Sequence, residues 1–535
     1  MDLILGFVLI VFPIVLAFVL LVFLKKAADI TGVVVWLVTV FLAILGFQTD
    51  FGIVIVASLA GIVKSFPISL MVATSILMMT WMQEVGALQR LIVFFKTLGG
   101  GSRPMQIMLI SLGLGLFLVG IGATPVSMLP PVMLALGFSP LVAVALPAIG
   151  YDPLTTFALL GVPAQVFNTE YNAATGGAVA LWESSLTFAW YMPVITTGIA
   201  ISMLWIAGGR ELLLQKEGLL LATVCGVTAG FVAILSNLSF VDQTILTNVF
   251  AGAAVVFVLL LYLKVRGKPL LDRGILDEED LRTEEGMTLK RASLPWVILV
   301  ILCFAVTLII PLKQLLIGPL DLVIQIGNYP RPISTKWLWQ AYTLMLIATL
   351  VSIPFFRRDR KTLSDTFSKF MKRAPRPVLA AAIFFAMAEV MNFSGYFPAV
   401  DGTWTFPVDG SNNMINLLAT LTSSALGTAY PLTAAFLGLL AGFISGSETS
   451  AIAMFTRYHH ETSVLIGANS MVVAASNGVG GGLASVLSPA KIQNAAAVID
   501  KIGIEGEVIR YGVVVAVLMT LATAIMTMLW AFGGG

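Results

Sequence analysis

Apolar runs of about 20 residues, the length an α-helix needs to cross a bilayer, recur along the whole chain. They fall near 3–24, 30–47, 67–82, 105–121, 187–207, 218–236, 243–263, 294–311, 338–355, 377–391, 414–430 and 511–532. The pattern predicts an all-α integral membrane protein, polytopic and helical. Between 122 and 166, and again between 432 and 500, the chain stays apolar but is cut by Gly, Pro, Ser and Asn. Those two regions predict broken or re-entrant helices.

The second region is the more informative. It breaks at Gly446-Ser447-Glu448-Thr449-Ser450, resumes, and is interrupted again at Asn477-Gly478-Val479-Gly480-Gly481-Gly482. Lipid cannot satisfy a broken backbone or a carboxylate, so this stretch must line a protein-enclosed cavity. In a polytopic protein such a cavity points to solute transport. The first region begins at Gly122-Ala123-Thr124-Pro125 and ends at Gly161-Val162-Pro163; the second runs a similar interval, from Gly446 to Ser488-Pro489. This spacing predicts two inverted repeats whose broken segments meet at a midplane site. The expected organisation is a first membrane half over 1–236, connecting spans and a cytoplasmic linker over 237–293, and a second membrane half over 294–535.

Basic loops orient the chain. Residues 357–376 are rich in Lys and Arg and are expected in the cytoplasm, whereas 393–413 carries Asp401 and Asp409 without any Lys or Arg. Counting spans backwards puts 264–293 inside, 165–186 outside as a loop, and the N-terminus outside. The loop 312–337 runs mildly against this scheme, with Lys313, Arg331 and Lys336 on the outer side. The linker Lys264–Arg291 balances acidic and basic residues, and its helical charge pattern around Asp277–Glu285 reads as a solvated face.

Composition agrees with the hydropathy pattern: 58% of the 535 residues are hydrophobic and only 11% charged. The net charge of +2 gives no reason to expect a nucleic-acid partner. Leu3–Leu24 has no basic stretch before it and no small-residue cleavage site, so it reads as a retained first span. The two cysteines, Cys225 and Cys303, both fall in expected spans and read as buried thiols. No catalytic triad or metal-ligand cluster points to an enzyme, and no cofactor is expected.

Glu448 is the foremost candidate for chemistry. An ionised carboxylate in an apolar run costs roughly 2.5–3.5 kcal/mol on insertion scales, so it calls for water, a cation or a proton. Ser447, Thr449 and Ser450 add hydroxyls beside it. The plainer reading is that Glu448 accepts hydrogen bonds from its own broken helix. Asp152, after Tyr151 and before Pro153, holds the matching place in the first region, with Thr155 and Thr156 following; an Asp before Pro is also an ordinary turn former. Asn477, Gly480 and Gly481 suit close approach to a small ligand, or tight helix packing. Ser485 and Ser488 follow, and Lys491 could neutralise an anion or snorkel to the interface. Glu389, inside a span, is a further proton carrier or an interhelical partner. His459 and His460 are adjacent, so they point apart on a helix and are expected as an interfacial pair at a span end.

The ordered set Gly446-Ser447-Glu448-Thr449-Ser450, Ala475-Ser476-Asn477 with Gly480-Gly481, and Ser488-Pro489 resembles the L-lactate permease family, whose pattern is close to G-S-D-T-S, A-N-x-x-G-G and S-P-Q. Asn392-Phe393-Ser394-Gly395 is similar to the family's N-Y-S-G, and Gly137-Phe138-Ser139-Pro140 and Gly161-Val162-Pro163 sit at similar spacing to family counterparts. The chain departs from the pattern where Val119 replaces an acid, where Tyr151-Asp152 replaces Asn-Thr, and where Ala484-Ser485-Val486 replaces G-K-M. The resemblance implies a secondary transporter in the cell membrane that moves a small 2-hydroxymonocarboxylate such as lactate or glycolate with a proton. Glu448, Asp152 and Glu389 would then handle the ion. Thr124, Tyr151, Ser447, Thr449, Asn477, Gly480, Gly481, Ser485, Ser488 and Lys491 would form the substrate site. A sodium-coupled carrier of another small solute, or an anion channel, is the alternative. The expected partners are the carboxylate, the coupling ion and the lipid bilayer, and an oligomer is compatible.

Overall fold

The structure, a computed structural model, describes residues 3–20, 24, 26, 28–98, 102–123, 125–150, 152–215, 217–269, 271–356, 359–406, 412–485, 487–499, 501 and 503–533. It opens with α1 (Leu3–Phe18), α2 (Ala28–Leu45), α3 (Phe51–Lys64), α4 (Phe66–Glu84) and α5 (Ala87–Thr97). Then α6 (Arg103–Ile107) passes through a π-helical stretch, Met108–Leu114, into α7 (Gly115–Gly120). The first broken region holds α8 (Pro125–Ala135), α9 (Pro140–Gly150), a 3₁₀ turn over Asp152–Phe157 and α10 (Ala158–Thr175). It is followed by α11 (Leu181–Ala189), α12 (Met192–Leu213), α13 (Gly218–Ser236), α14 (Thr247–Val265), α15 (Glu278–Gly286) and α16 (Leu289–Ala292). Next come α17 (Leu294–Leu308), α18 (Ile310–Ile317), α19 (Ala341–Ser352), α20 (Arg360–Arg373), α21 (Pro375–Asn392) and α22 (Met414–Leu426). The second broken region is α23 (Pro431–Ser445), α24 (Glu448–Ile466), α25 (Ser470–Ser485) and α26 (Pro489–Val498), and α27 (Glu505–Ala531) closes the described chain. Among the described residues sheet is confined to two short antiparallel hairpins, Val323–Ile324 with Ile333–Ser334 and Phe397–Pro398 with Trp404–Thr405.

Among the described residues, 7 helices are long and apolar enough to cross a membrane, or up to 9 if each of two bent pairs counts as one span. The chain is therefore a multi-pass membrane protein. One bend, 88° between α17 and α18, falls where Pro311 enters the first turn of α18 and has no N–H to continue the ladder. The other, 49°, separates α9 from the segment Pro153–Thr175. Buried apolar side chains form two clusters. The larger draws on α4–α14, α17, α19 and α25–α27; the smaller draws mainly on α1, α2 and α21–α24, and α24 contributes to both.

Several expectations change. Phe51–Lys64 is a further apolar helix, at 14 residues shorter than the runs expected to span. Residues 165–175 are not an outer loop: α10 extends to Thr175, where Gly176 at φ 68° ends it. The linker helix α15 presents the expected solvated face, with Glu278, Glu279, Arg282 and Glu285 exposed, but its other side is docked. Its capping box at Asp277 and Asp280 fixes its start, and it docks on α5 through Lys96–Asp280 at 2.7 Å and Arg90–Glu284 at 2.9 Å. The basic loop contains helix α20, tied to the end of α4 by Lys369–Glu84 at 2.6 Å and Arg373 with Gln83 at 2.8 Å.

Candidate functional site

The break before Glu448 follows from two residues. Gly446 takes φ 65°, a left-handed conformation that ends α23 and that a side chain would strain, and Ser447 is extended. Ser447 caps α24 by accepting from the Ser450 N–H at 3.2 Å. Glu448 is thus the first residue of α24, near unpaired N–H groups that favour negative charge. Its carboxylate does not bond to its own helix. Oε1 instead accepts from the Thr156 hydroxyl at 2.6 Å, across the molecule from the 3₁₀ turn that Asp152 opens.

Glu448 is 2% exposed, and its Oε2 has no hydrogen-bond partner among the described residues. The same holds for Ser485 Oγ and for Asn477 Oδ1. Leaving such a buried group unmatched costs about 1–3 kcal/mol, more for a charged one, so each of these atoms calls for a polar partner, a water or a proton. Gly482 makes room for it. A Cβ at that position would stand 2.7 Å from Glu448 Oε2 and 3.2 Å from Thr155 Cβ. Ser488 closes another side, because a Cβ on Gly446 would meet its Oγ at 3.0 Å.

The structure brings together some of the candidates and separates others. Ser447, Glu448, Thr449, Ser485 and Ser488 surround the break with Thr155 and Thr156. Asn477 is buried in α25 and donates from Nδ2 to the Ala451 carbonyl at 3.2 Å. Contrary to expectation, the glycine run does not break the chain, for Ser470–Ser485 is one helix and the interruption follows it, before Pro489. Gly480 lies directly on the Ala435 carbonyl of α23, and Gly438 and Gly442 of α23 lie on the Asn477 and Gly481 carbonyls. These glycines serve close helix packing. Lys491 is half-buried in the first turn of α26, which packs on α8, so the two broken regions interlock at this end as well. Thr124 and Tyr151 lie outside the described residues.

His459 is not interfacial. It is fully buried, with Nδ1 2.5 Å from the Tyr430 hydroxyl. His460 points the other way, to Ser470 at 3.1 Å and to the Tyr171 ring, as adjacent positions on a helix require. Among the described residues no group of three or more His, Cys, Asp or Glu could hold a metal ion.

Glu389 is an interhelical partner. Its Oε1 accepts from Lys64 Nζ at 2.7 Å, its Oε2 accepts from the Tyr329 hydroxyl at 2.6 Å, and Lys64 also reaches Glu170 at 3.1 Å. Sequence reasoning missed Lys64, Glu170 and Tyr329. The signal for Lys64 was there: it is the one charged residue between Asp50 and Glu84.

Known proteins resemble this chain along most of its length. The L-lactate permease of Escherichia coli K12 is 24% identical over 460 residues, covering 80% of this chain and 78% of its own. The glycolate permease GlcA of the same strain is 23% identical over 569 residues, covering 97% and 94%. The L-lactate permease of Streptococcus iniae is 22% identical over 464 residues, covering 84% and 89%. MtrF of Neisseria gonorrhoeae, described as one of a class of antimetabolite efflux pumps, superimposes on 89% of this chain and 84% of its own with TM-score 0.45 at 12% identity, too loose a likeness to bear on the fold. The profile of the L-lactate permease family matches residues 6–532, and the chain therefore belongs to that family.

Proposed function

We propose that this protein is a secondary active transporter that moves a small 2-hydroxymonocarboxylate, such as lactate or glycolate, together with a proton across the cell membrane. The family and the names of its relatives support the substrate class. The observation that carries the mechanism is the buried Glu448 carboxylate, held by Thr156 from the other broken region with its second oxygen unmatched. The helix N-terminus at the start of α24 and the hydroxyls of Ser447, Thr449, Ser485 and Ser488 suit a carboxylate ligand. A ligand anion and an ionised Glu448 would repel each other strongly in so dry a site. A proton on Glu448 removes that repulsion, so substrate and proton bind best together. Release of one favours release of the other, which is the coupling.

In this reading Asp152 and Tyr151 complete the ion site from the first broken region, Thr124 and Asn477 bound the substrate, Gly480 and Gly481 hold the supporting helices together, and Lys491 supplies positive charge. The halves 1–236 and 294–535 form inverted repeats joined through 237–293, and the N-terminus lies outside. The test is uptake of labelled L-lactate and glycolate into liposomes holding the purified protein under an imposed inward proton gradient. Accumulation that collapses with a protonophore, and in Glu448→Gln, supports the reading. Accumulation driven by a sodium gradient alone would replace the proton with sodium, and flux that follows voltage without accumulation would make the protein a channel.

A further inference from the structure

A second group of buried ionisable side chains stands apart from Glu448. Lys64 at the end of α3 lies 2.7 Å from Glu389 of α21 and 3.1 Å from Glu170 of α10, and Tyr329 donates to Glu389 at 2.6 Å. The side chains are 11% exposed for Lys64, 8% for Glu170 and 3% for Glu389. One ammonium thus faces two carboxylates in a place with little water. With both acids ionised the group carries one uncompensated negative charge, which is costly to bury, and a single added proton brings it to neutrality.

The two carboxylates are not equivalent. Glu389 has the shorter ion pair and a second donor in Tyr329, and the Tyr329 ring is braced by Phe393 at 5.4 Å and Trp404 at 5.5 Å. Among the described residues Glu170 has the one, longer contact to Lys64. The elements packed around α10 bring other titratable groups to its neighbour Tyr171: His460 of α24, in ring contact at 6.0 Å, and Glu183 of α11. Lys64 and Glu389 are the charges that act on Glu170 itself. The contact also has a place in the architecture, because α10 belongs to the larger core cluster and most buried residues of α21 belong to the smaller one.

We propose that this group is a second proton-binding site, with Glu170 as the acceptor, and that the Lys64–Glu170 contact latches α10 to α3 and α21 until it is protonated. A proton taken from water adds to a Glu170 carboxylate oxygen while Lys64 remains an ammonium paired with Glu389. The Lys64–Glu170 ion pair is lost and the Lys64–Glu389 pair is kept. Acid therefore frees α10 to move against α3 and α21, and alkali holds it. The inference rests on the transport reading above for its role, though the proton site itself can be tested without substrate.

Two measurements separate the site from the transport function. The first follows carboxylic-acid carbonyl bands by infrared difference spectroscopy as the purified protein is titrated with acid, with no substrate present. We expect Glu170→Gln to lose one titrating band that Glu448→Gln keeps, and the reverse; an unchanged spectrum in Glu170→Gln overturns the proposal. The second is the pH profile of lactate exchange between two equal pools across liposomes, without a gradient. Wild-type exchange should rise on acidification more steeply than one proton on Glu448 allows, which is up to about tenfold per pH unit, and Glu170→Gln should keep only that shallower, Glu448-controlled dependence. A wild-type slope in that variant overturns the latch. Glu170→Asp, which keeps the acid, should restore the steeper slope, so that a reduced slope from a merely damaged helix is recognised. Absence of lactate exchange in every form would defeat the transport reading and leave the infrared result to decide the site.

Discussion

At Glu448 the decisive contact comes from Thr156, a residue far away in the chain, and it is a single hydrogen bond of 2.6 Å. Thr156→Val removes that donor while keeping the shape. The expected result is a loss of uptake of roughly tenfold or more, with a stability change of only about 1 kcal/mol, the net worth of one hydrogen bond; initial uptake rates and thermal unfolding of the purified protein measure the two. Gly482→Ala tests the room around the carboxylate. Its methyl would stand 2.7 Å from Glu448 Oε2, so uptake should fall sharply although the helix itself favours Ala. Unchanged uptake in Gly482→Ala would mean that Oε2 does not occupy the working site. Glu448 was legible in the sequence because a carboxylate in an apolar run always demands a partner, but its partner was not. Thr155 and Thr156 stood beside Asp152 as ordinary hydroxyls, and nothing local says which of them reaches across the molecule.

Between elements, α23 and α25 are held at backbone contact by Gly438, Gly442 and Gly480. Gly480→Val would push a branched side chain into the Ala435 carbonyl. The expected loss is about 1–3 kcal/mol or more, from overpacking where neither backbone can yield, read as a lower unfolding temperature in detergent. The helix cap is a milder lever: Ser447→Ala should cost about 1 kcal/mol and fray the start of α24, seen as faster amide exchange at 448–450. The breaks themselves were largely legible. Gly446 followed by Ser447 is a helix stop and a helix start written in two residues. The run at 478–482 misled because glycines that unwind a helix and glycines that let two helices touch look the same along the chain. Only the neighbour distinguishes them, and the neighbour is α23.

For the whole molecule the orientation is open to a direct test. Val400 is fully exposed beside the Phe397–Thr405 hairpin, and Glu279 is exposed on the linker helix α15. The native cysteines are buried, so they give little background. In intact cells Val400→Cys should react with a membrane-impermeant maleimide, and Glu279→Cys should react only after permeabilisation. The opposite pattern would invert the protein in the membrane.

The sequence by itself determined the class of the molecule. Runs of apolar residues long enough to span a bilayer, interrupted twice by Gly, Ser and Pro around a lone acid, leave few physical solutions, because lipid penalises every unmatched polar group. It also determined which acid to watch at the second break. The tertiary structure alone decided who meets whom: Thr156 with Glu448, α15 with α5, and Lys64 with two carboxylates from helices remote in the chain. Those pairings depend on long-range packing, where a side chain is satisfied by whatever the fold happens to place within about 3 Å, and spacing along one chain carries no record of that distance.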